Sequence, residues 1–213
     1  MRKKYQGEVN DKERSMRKLI DAVGTVIQTY GYTGLTSTNI SKTAGLDRKL
    51  ISLYFGSVNN LVETYVKTKD YWVAATGEAS DKMRYNKGSN TRELLEAVLL
   101  NQLDYFGNNT EMQKIVLWQL SEQTDIMKHV CAEREKLSTT FFALSDKELK
   151  GRHVDLRAIA ALLVAGIYYL VLHAKSESGL FCEIDINSEQ GMNRIKDAVK
   201  TILDDAYNRQ EDK

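Results

Sequence analysis

The sequence predicts an all-α protein: an N-terminal three-helix helix-turn-helix domain followed by a larger C-terminal helical bundle, about nine helices in total. Three observations predict it. The 213 residues contain no proline, so nothing interrupts a helix from within. Apolar residues recur at intervals of three and four along most of the chain. Between these runs stand glycines and Ser, Thr, Asp or Asn residues, placed where helices stop and start.

The first helix carries apolar residues at positions 16, 19, 20, 23, 26, 27 and 30, and Gly31 ends it. Thr36 caps a short second helix through Ala44, and Gly45 supplies a sharp turn. Asp47 then caps a third helix. Ser57 caps a fourth, with helical spacing to about residue 84. Asn86–Asn90 is a loop, and Asn90 with Glu93 is expected to form a capping box for the next helix, which the Gly107–Asn109 run ends. A shorter helix covers roughly Glu111 to Gln119, and another spans 124–144. After the polar stretch SDKELKGRH, a long apolar helix runs from Asp155 to about Ser176. Gly179–Asn187 reads as a loop, and Ser188 caps the last helix. The expected division is 1–56 for the helix-turn-helix domain, 57–85 for a linking fourth helix and 86–213 for the larger domain.

Charge narrows the function. The net formal charge is +1, but residues 1–60 carry ten Lys and Arg against five Asp and Glu, while the remainder is net negative. A basic N-terminal part suits a phosphate-bearing partner, although Arg2, Lys3 and Lys4 are also consistent with a simple basic tail. Cys131 and Cys182 have no metal-ligand spacing, so no metal site is expected, and two distant thiols fit a reducing cytoplasm. The N-terminus lacks the apolar segment of a secretory signal. The uncharged run Ile159–Ala174 is shorter than the roughly 20 residues that span a bilayer, so a buried or interface helix is expected there and no membrane partner. No acid–base pair, Ser–His–Asp arrangement or phosphate loop is visible. An enzyme is not expected, nor is a cofactor.

The stretch Gly31–Leu61, GYTGLTSTNISKTAGLDRKLISLYFGSVNNL, carries the most chemistry. In a helix-turn-helix the second helix enters the major groove, so its inward side chains anchor it and its outward ones meet DNA. Ile40, Ala44, Leu46, Ile51 and Phe55 fall on the inward side. Thr36, Thr38, Arg48, Lys49, Ser52, Leu53 and Tyr54 are the candidate DNA-binding residues. Arg48 suits guanine edges or phosphate, Lys49 the backbone, and Thr38 and Tyr54 phosphate oxygens. Leu53 can meet a thymine methyl but cannot hydrogen-bond a base, and packing of Leu53 against the protein is an equal alternative.

These residues resemble the TetR (tetracycline-repressor) family of transcriptional regulators. The similarity is close over Met16–Leu61 and rests on Gly31, Tyr32, Thr36, Ile40, Ala44, Gly45, Leu50, Ile51, Tyr54, Phe55, Ser57 and Leu61. Ser41 and Leu46 are mild changes. Ser52 stands where the family usually has a phosphate-contacting tyrosine, Val58 where it usually has a lysine, and Asp47 where a serine caps the recognition helix. The resemblance implies a ligand-responsive repressor acting as a homodimer through its last two helices on a near-palindromic double-stranded DNA operator, with an unknown small-molecule effector.

Candidate effector contacts in the larger domain are Trp118, Met127, His129, Tyr168, Tyr169 and His173, although core packing explains each more simply. His129 and Cys131, two residues apart, point to different faces of a helix and do not form a joint metal site. Two other readings stay open. One is a DNA-binding adaptor without a small-molecule pocket, and the other a small-molecule-binding helical protein with weakened DNA binding.

Overall fold

The computed structural model describes residues 7–72, 90–175 and 179–209. Among them are nine α-helices, one 3-10 turn and a two-stranded hairpin. In chain order the helices are α1 Gly7–Tyr30, α2 Ser37–Ala44, α3 Lys49–Phe55, α4 Val58–Lys69, α5 Thr91–Asn108, α6 Thr110–Ser121, α7 Asp125–Glu148, α8 Leu156–Ala174 and α9 Glu189–Asn208.

The chain divides into two compact units. The first comprises residues 1–74 and 114–133, and the second 75–113 and 134–213. This partition by packing runs differently from the expected one at 56 and 85. Most of α4 shares its core with α1, as do the later half of α6 and the first turns of α7. Amphipathic spacing identifies a buried face but not the surface it buries against, and the division depends on that surface.

In the first unit, Leu19, Val23, Val26 and Ile27 of α1 form one wall of a core completed by Ile40, Ile51, Leu61, Val62, Tyr65 and Val66. The segment 114–133 adds Ile115, Trp118, Ile126, Met127 and Val130 to the same cluster. Helix α1 begins at Gly7, well before the apolar spacing that signals it at Met16.

In the second unit, α5 packs against both α8 and α9. Arg92 meets Asp204 at 2.5 Å and Lys196 meets Asp104 at 2.7 Å, which fixes α5 and α9 side by side along their length. The expected Asn90–Glu93 capping box does not form. Asn90 sits in the left-handed region at φ 69° and makes no side-chain cap. Its place is taken by Glu148 of α7, whose Oε2 accepts from the Thr91 backbone N–H at 2.8 Å and the Thr91 hydroxyl at 2.6 Å. Thr91 Oγ1 also meets the Tyr207 hydroxyl at 2.8 Å, and Arg152 donates to the Tyr207 carbonyl. The ends of α5, α7 and α9 are thereby tied together. No local sequence pattern could reveal a cap delivered from 57 residues away.

Helix α7 runs through SDKE to Glu148, four residues past the expected end. Ser145 is buried there and its hydroxyl bonds the Phe142 carbonyl, so a polar residue occupies a core position. The expected loop at 179–187 contains a tight hairpin pairing Leu180 with Asp185 and Phe181 with Ile184. Cys182 and Glu183 form its turn at φ 50° and 61°, positions where glycine or asparagine is the usual signal. Helix α9 crosses close to this hairpin at Gly191, where a Cβ would stand 1.9 Å from the Asp185 carbonyl oxygen. The cap expected at Ser188 forms, accepting from Gly191 N, and Asp155 caps α8 by accepting from Ala158 N.

Candidate nucleic-acid interface

The geometry of α2, the turn and α3 follows from local chemistry. Thr36 Oγ1 accepts from Asn39 N at 3.2 Å and starts α2. Gly45 takes the left-handed conformation, φ 66° and ψ 34°, which a residue with a Cβ adopts only at a cost. Leu46 N then reaches back to the Ser41 carbonyl at 3.1 Å, closing the helix end. Asp47 starts α3, its carboxylate accepting from Lys49 N at 2.8 Å and its carbonyl from Leu50 N at 3.0 Å. Ser57 Oγ accepts from Asn60 N at 3.1 Å and starts α4.

The two faces of α3 are sharply different. Ile51 is 1% exposed and packs with Ile40 in the core, while Leu46, Leu50, Tyr54 and Phe55 cover the rim of that core. Arg48, Lys49, Ser52 and Leu53 all face solvent. Leu53 is 71% exposed, so its side chain does not pack away against the protein. Thr36 and Thr38 are also exposed. Tyr54 is half-buried, with Lys12 Nζ of α1 lying 5.8 Å from its ring centroid. Six of the seven DNA-contact candidates are therefore exposed, and Tyr54 is half-buried. Val58, standing at the family's lysine position, packs against the core instead of offering a charge.

The helices on either side of this pair, α1 and α4, are braced from the second half of α6 and the start of α7. Lys114 Nζ donates to the carbonyls of Gln28 at 2.7 Å and Ile27 at 3.4 Å, placing a cation at the C-terminal end of α1, where the helix dipole favours it. Trp118, one turn further on, stacks on Tyr32 with centroids 5.9 Å apart, and the Tyr32 hydroxyl donates to Glu122 at 3.3 Å. His129 Nδ1 lies 3.1 Å from Glu63 of α4. Glu63 also pairs with Lys67 at 2.8 Å, and these two partners, Lys67 foremost, hold its carboxyl below the usual range.

Of the six effector-contact candidates, Trp118, Met127 and His129 belong to the first unit. Trp118 and Met127 are buried in its core, whereas His129 is exposed and engaged with Glu63. Tyr168, Tyr169 and His173 belong to the second. Tyr168 packs edge-on to Phe106 at 4.8 Å. Tyr169 stacks with His173 at 5.7 Å, both rings meet Phe181 of the hairpin, and His173 Nε2 lies 2.9 Å from the Leu180 carbonyl oxygen. The structure thus brings Tyr169 and His173 together but does not gather all six into one site. An open cleft of about 520 Å³ in the second unit is lined by Leu103, Asp104, Val171, Lys175, Asn187 and Met192 among others, and by none of the six. Met192 sits on the apolar face of α9 that spacing shows, whereas Asn187 follows the hairpin, which leaves no periodic trace, and could not have been nominated that way.

A basic N-terminal unit that presents a capped helix across a glycine turn defines a helix-turn-helix protein. No protein-family model matches the chain, and no curated protein matches it. Solved structures do. A fatty acid metabolism regulator of Clostridium perfringens superposes with a TM-score of 0.63 at 18% identity, covering 88% of this chain and 97% of that one. A TetR-like transcriptional regulator from Rhodococcus sp. RHA1 gives 0.58 at 20% identity over 90% and 94%. The regulator FadR from Bacillus subtilis, solved in complex with stearoyl-CoA, gives 0.56 at 15% identity over 90% and 97%. The chain has the all-α fold of these regulators, the Rhodococcus one described as TetR-like.

Proposed function

We propose that this protein is a ligand-responsive transcriptional repressor that binds a near-palindromic DNA operator as a homodimer in the cytoplasm. The observation that carries the reading is the exposed face of α3, where Arg48, Lys49, Ser52 and Leu53 project from a helix locked at its back by Ile51. Arg48 reads a base edge or phosphate, Lys49 engages the phosphate backbone, and Leu53 meets a thymine methyl. Thr38 and Tyr54 serve the flanking phosphates.

Dimerisation is supported by α8. This helix is long and apolar enough by length and composition to cross a membrane, yet only 22% of it is buried within the chain. Leu162, 74% exposed, and Tyr169 are left in solvent on α8, as is Ile202 on α9. A second copy covering this face removes the apolar surface from water, and a two-fold axis sets two recognition helices about 34–36 Å apart, one turn of DNA.

The small-molecule effector binds the second unit. The stearoyl-CoA complex of the Bacillus subtilis structure favours a ligand with a large apolar part. Effector binding selects a conformation in which the recognition helices no longer match the half-site spacing, so operator affinity falls by population shift. Fluorescence anisotropy with duplexes from the DNA flanking its own gene tests the reading. Salt-dependent binding that prefers one duplex over a scrambled sequence supports it. Equal binding to all duplexes, or none at 50 mM salt, overturns it.

A further inference from the structure

Helix α1 runs from Gly7, nine residues ahead of Met16, so its opening turns carry charged side chains on a helix that the core fixes further on. Lys12 stands seven residues before Leu19, two turns back along the same stripe, and Leu19 is 0% exposed in the core that α1 shares with Ile51 of α3. Lys12 therefore lies on the side of α1 that packs against the helix-turn-helix, but beyond the end of that core. Its side chain is exposed, and its Nζ lies 5.8 Å from the centroid of the Tyr54 ring on α3.

The charge of Lys12 stays unneutralised there. Among the described residues it pairs with no carboxylate. Asp11 stands about 100° round the helix from it, and Glu13 is turned to Arg17, 3.9 Å away on the far side of α1. A ring face holds a cation electrostatically and takes up none of the three N–H donors of the ammonium.

Helix α3 has no cation of its own at this end. Arg48 and Lys49 stand at its start, and no charged residue follows them until Glu63 of α4. Tyr54 is six residues beyond Arg48, roughly 9 Å along the axis at about 1.5 Å per residue. The Tyr54 hydroxyl can hydrogen-bond a phosphate oxygen but cannot neutralise its charge. The cation beside that hydroxyl comes from another helix.

We infer that Lys12 is a DNA-contacting residue which α1 adds to the face of α3, its ammonium binding a backbone phosphate beside Tyr54. This rests on the DNA-binding reading above. Arg48 and Lys49 then serve the start of α3, and Lys12 with Tyr54 its end. The sequence concealed the residue because the apolar period of α1 begins only at Met16, leaving Lys12 outside the expected helix.

The test is fluorescence anisotropy of the full chain on its preferred duplex between 50 and 200 mM salt. In Lys12→Gln the slope of log affinity against log salt should become shallower by about 2 for a dimer, so its deficit against wild type grows about tenfold from 200 to 50 mM. Lys12→Arg should keep the wild-type slope. Arg17→Gln, which removes the same charge from the far side of α1, should change the slope by less than half as much. Since a phosphate contact carries no sequence information, the preference for that duplex over a scrambled one should be unchanged in Lys12→Gln. The variant should retain wild-type helicity and melt within about 4 °C of wild type. Lys12→Met, which keeps an unbranched stem against the Tyr54 ring, replaces it should the glutamine variant fail to fold. A wild-type slope in the folded Lys12 variant, or an equal loss of slope in Arg17→Gln, overturns the inference. Sequence-preferring binding with a slope indifferent to Lys12 removes only this contact. A Lys12-dependent slope that is the same on every duplex removes the operator reading and keeps the contact, and no binding to any duplex overturns both.

Discussion

Two substitutions two residues apart on α3 separate scaffold from contact surface. Ile51 is 1% exposed, so Ile51→Ala removes buried carbons from the core shared with Ile40 and should cost about 2–5 kcal/mol. Leu53 is 71% exposed. Since full burial of a leucine contributes about 1.5–3 kcal/mol and under a third of this one is covered, Leu53→Ala should cost less than about 1 kcal/mol of stability. Its effect should fall on DNA. If the side chain packs on a thymine methyl, truncation removes about 1–2 kcal/mol per protomer, or about 2–4 kcal/mol for a dimer with both copies changed, roughly thirtyfold to several hundredfold in operator affinity. Urea denaturation and operator anisotropy on both variants check this. The reasoning fails if Leu53→Ala unfolds at clearly lower urea than wild type, or if it leaves the affinity for the preferred duplex untouched.

Arg48→Ala removes one cation from each recognition helix, so in a dimer the slope of log affinity against log salt should become shallower by about 2, measured between 50 and 200 mM salt. Leu162→Glu places a charge on the exposed face of α8; light scattering should show a shift from twice the chain mass of 24.2 kDa to that mass, with helicity by circular dichroism retained. Burial lifts the Tyr207 phenol from its ordinary 10.0 to about 12, so its neutral form stabilises the fold fully below pH 10 and that contribution is lost as pH rises through 12. Urea titrations of wild type and Tyr207→Phe at pH 8 and pH 11.5 should therefore differ by a gap that narrows at the higher pH.

The unit that presents α3 was largely legible because its determinants are local. Gly45 and Asp47 act within a few residues of themselves, and the spacing of Ile40 and Ile51 is enough to place Arg48, Lys49 and Ser52 on the opposite side. Leu53 shows the limit. A leucine at an outward position is equally compatible with packing and with exposure until its neighbours are known, and 71% exposure resolves it. The effector candidates show it more strongly. Trp118 and Met127 are apolar at helical spacing, and nothing in that spacing says that they join the core of α1 rather than a cavity in the other unit.

By itself, then, the sequence determined that the chain is helical, where most helices begin and end, and which face of α3 points outward, because capping bonds and amphipathic periods are set over three to five residues. Tertiary structure decided what no short window contains. The cap of α5 comes from Glu148 and the brace of α1 from Lys114. Each depends on residues far apart in the chain meeting in space, and such meetings leave no period in the sequence.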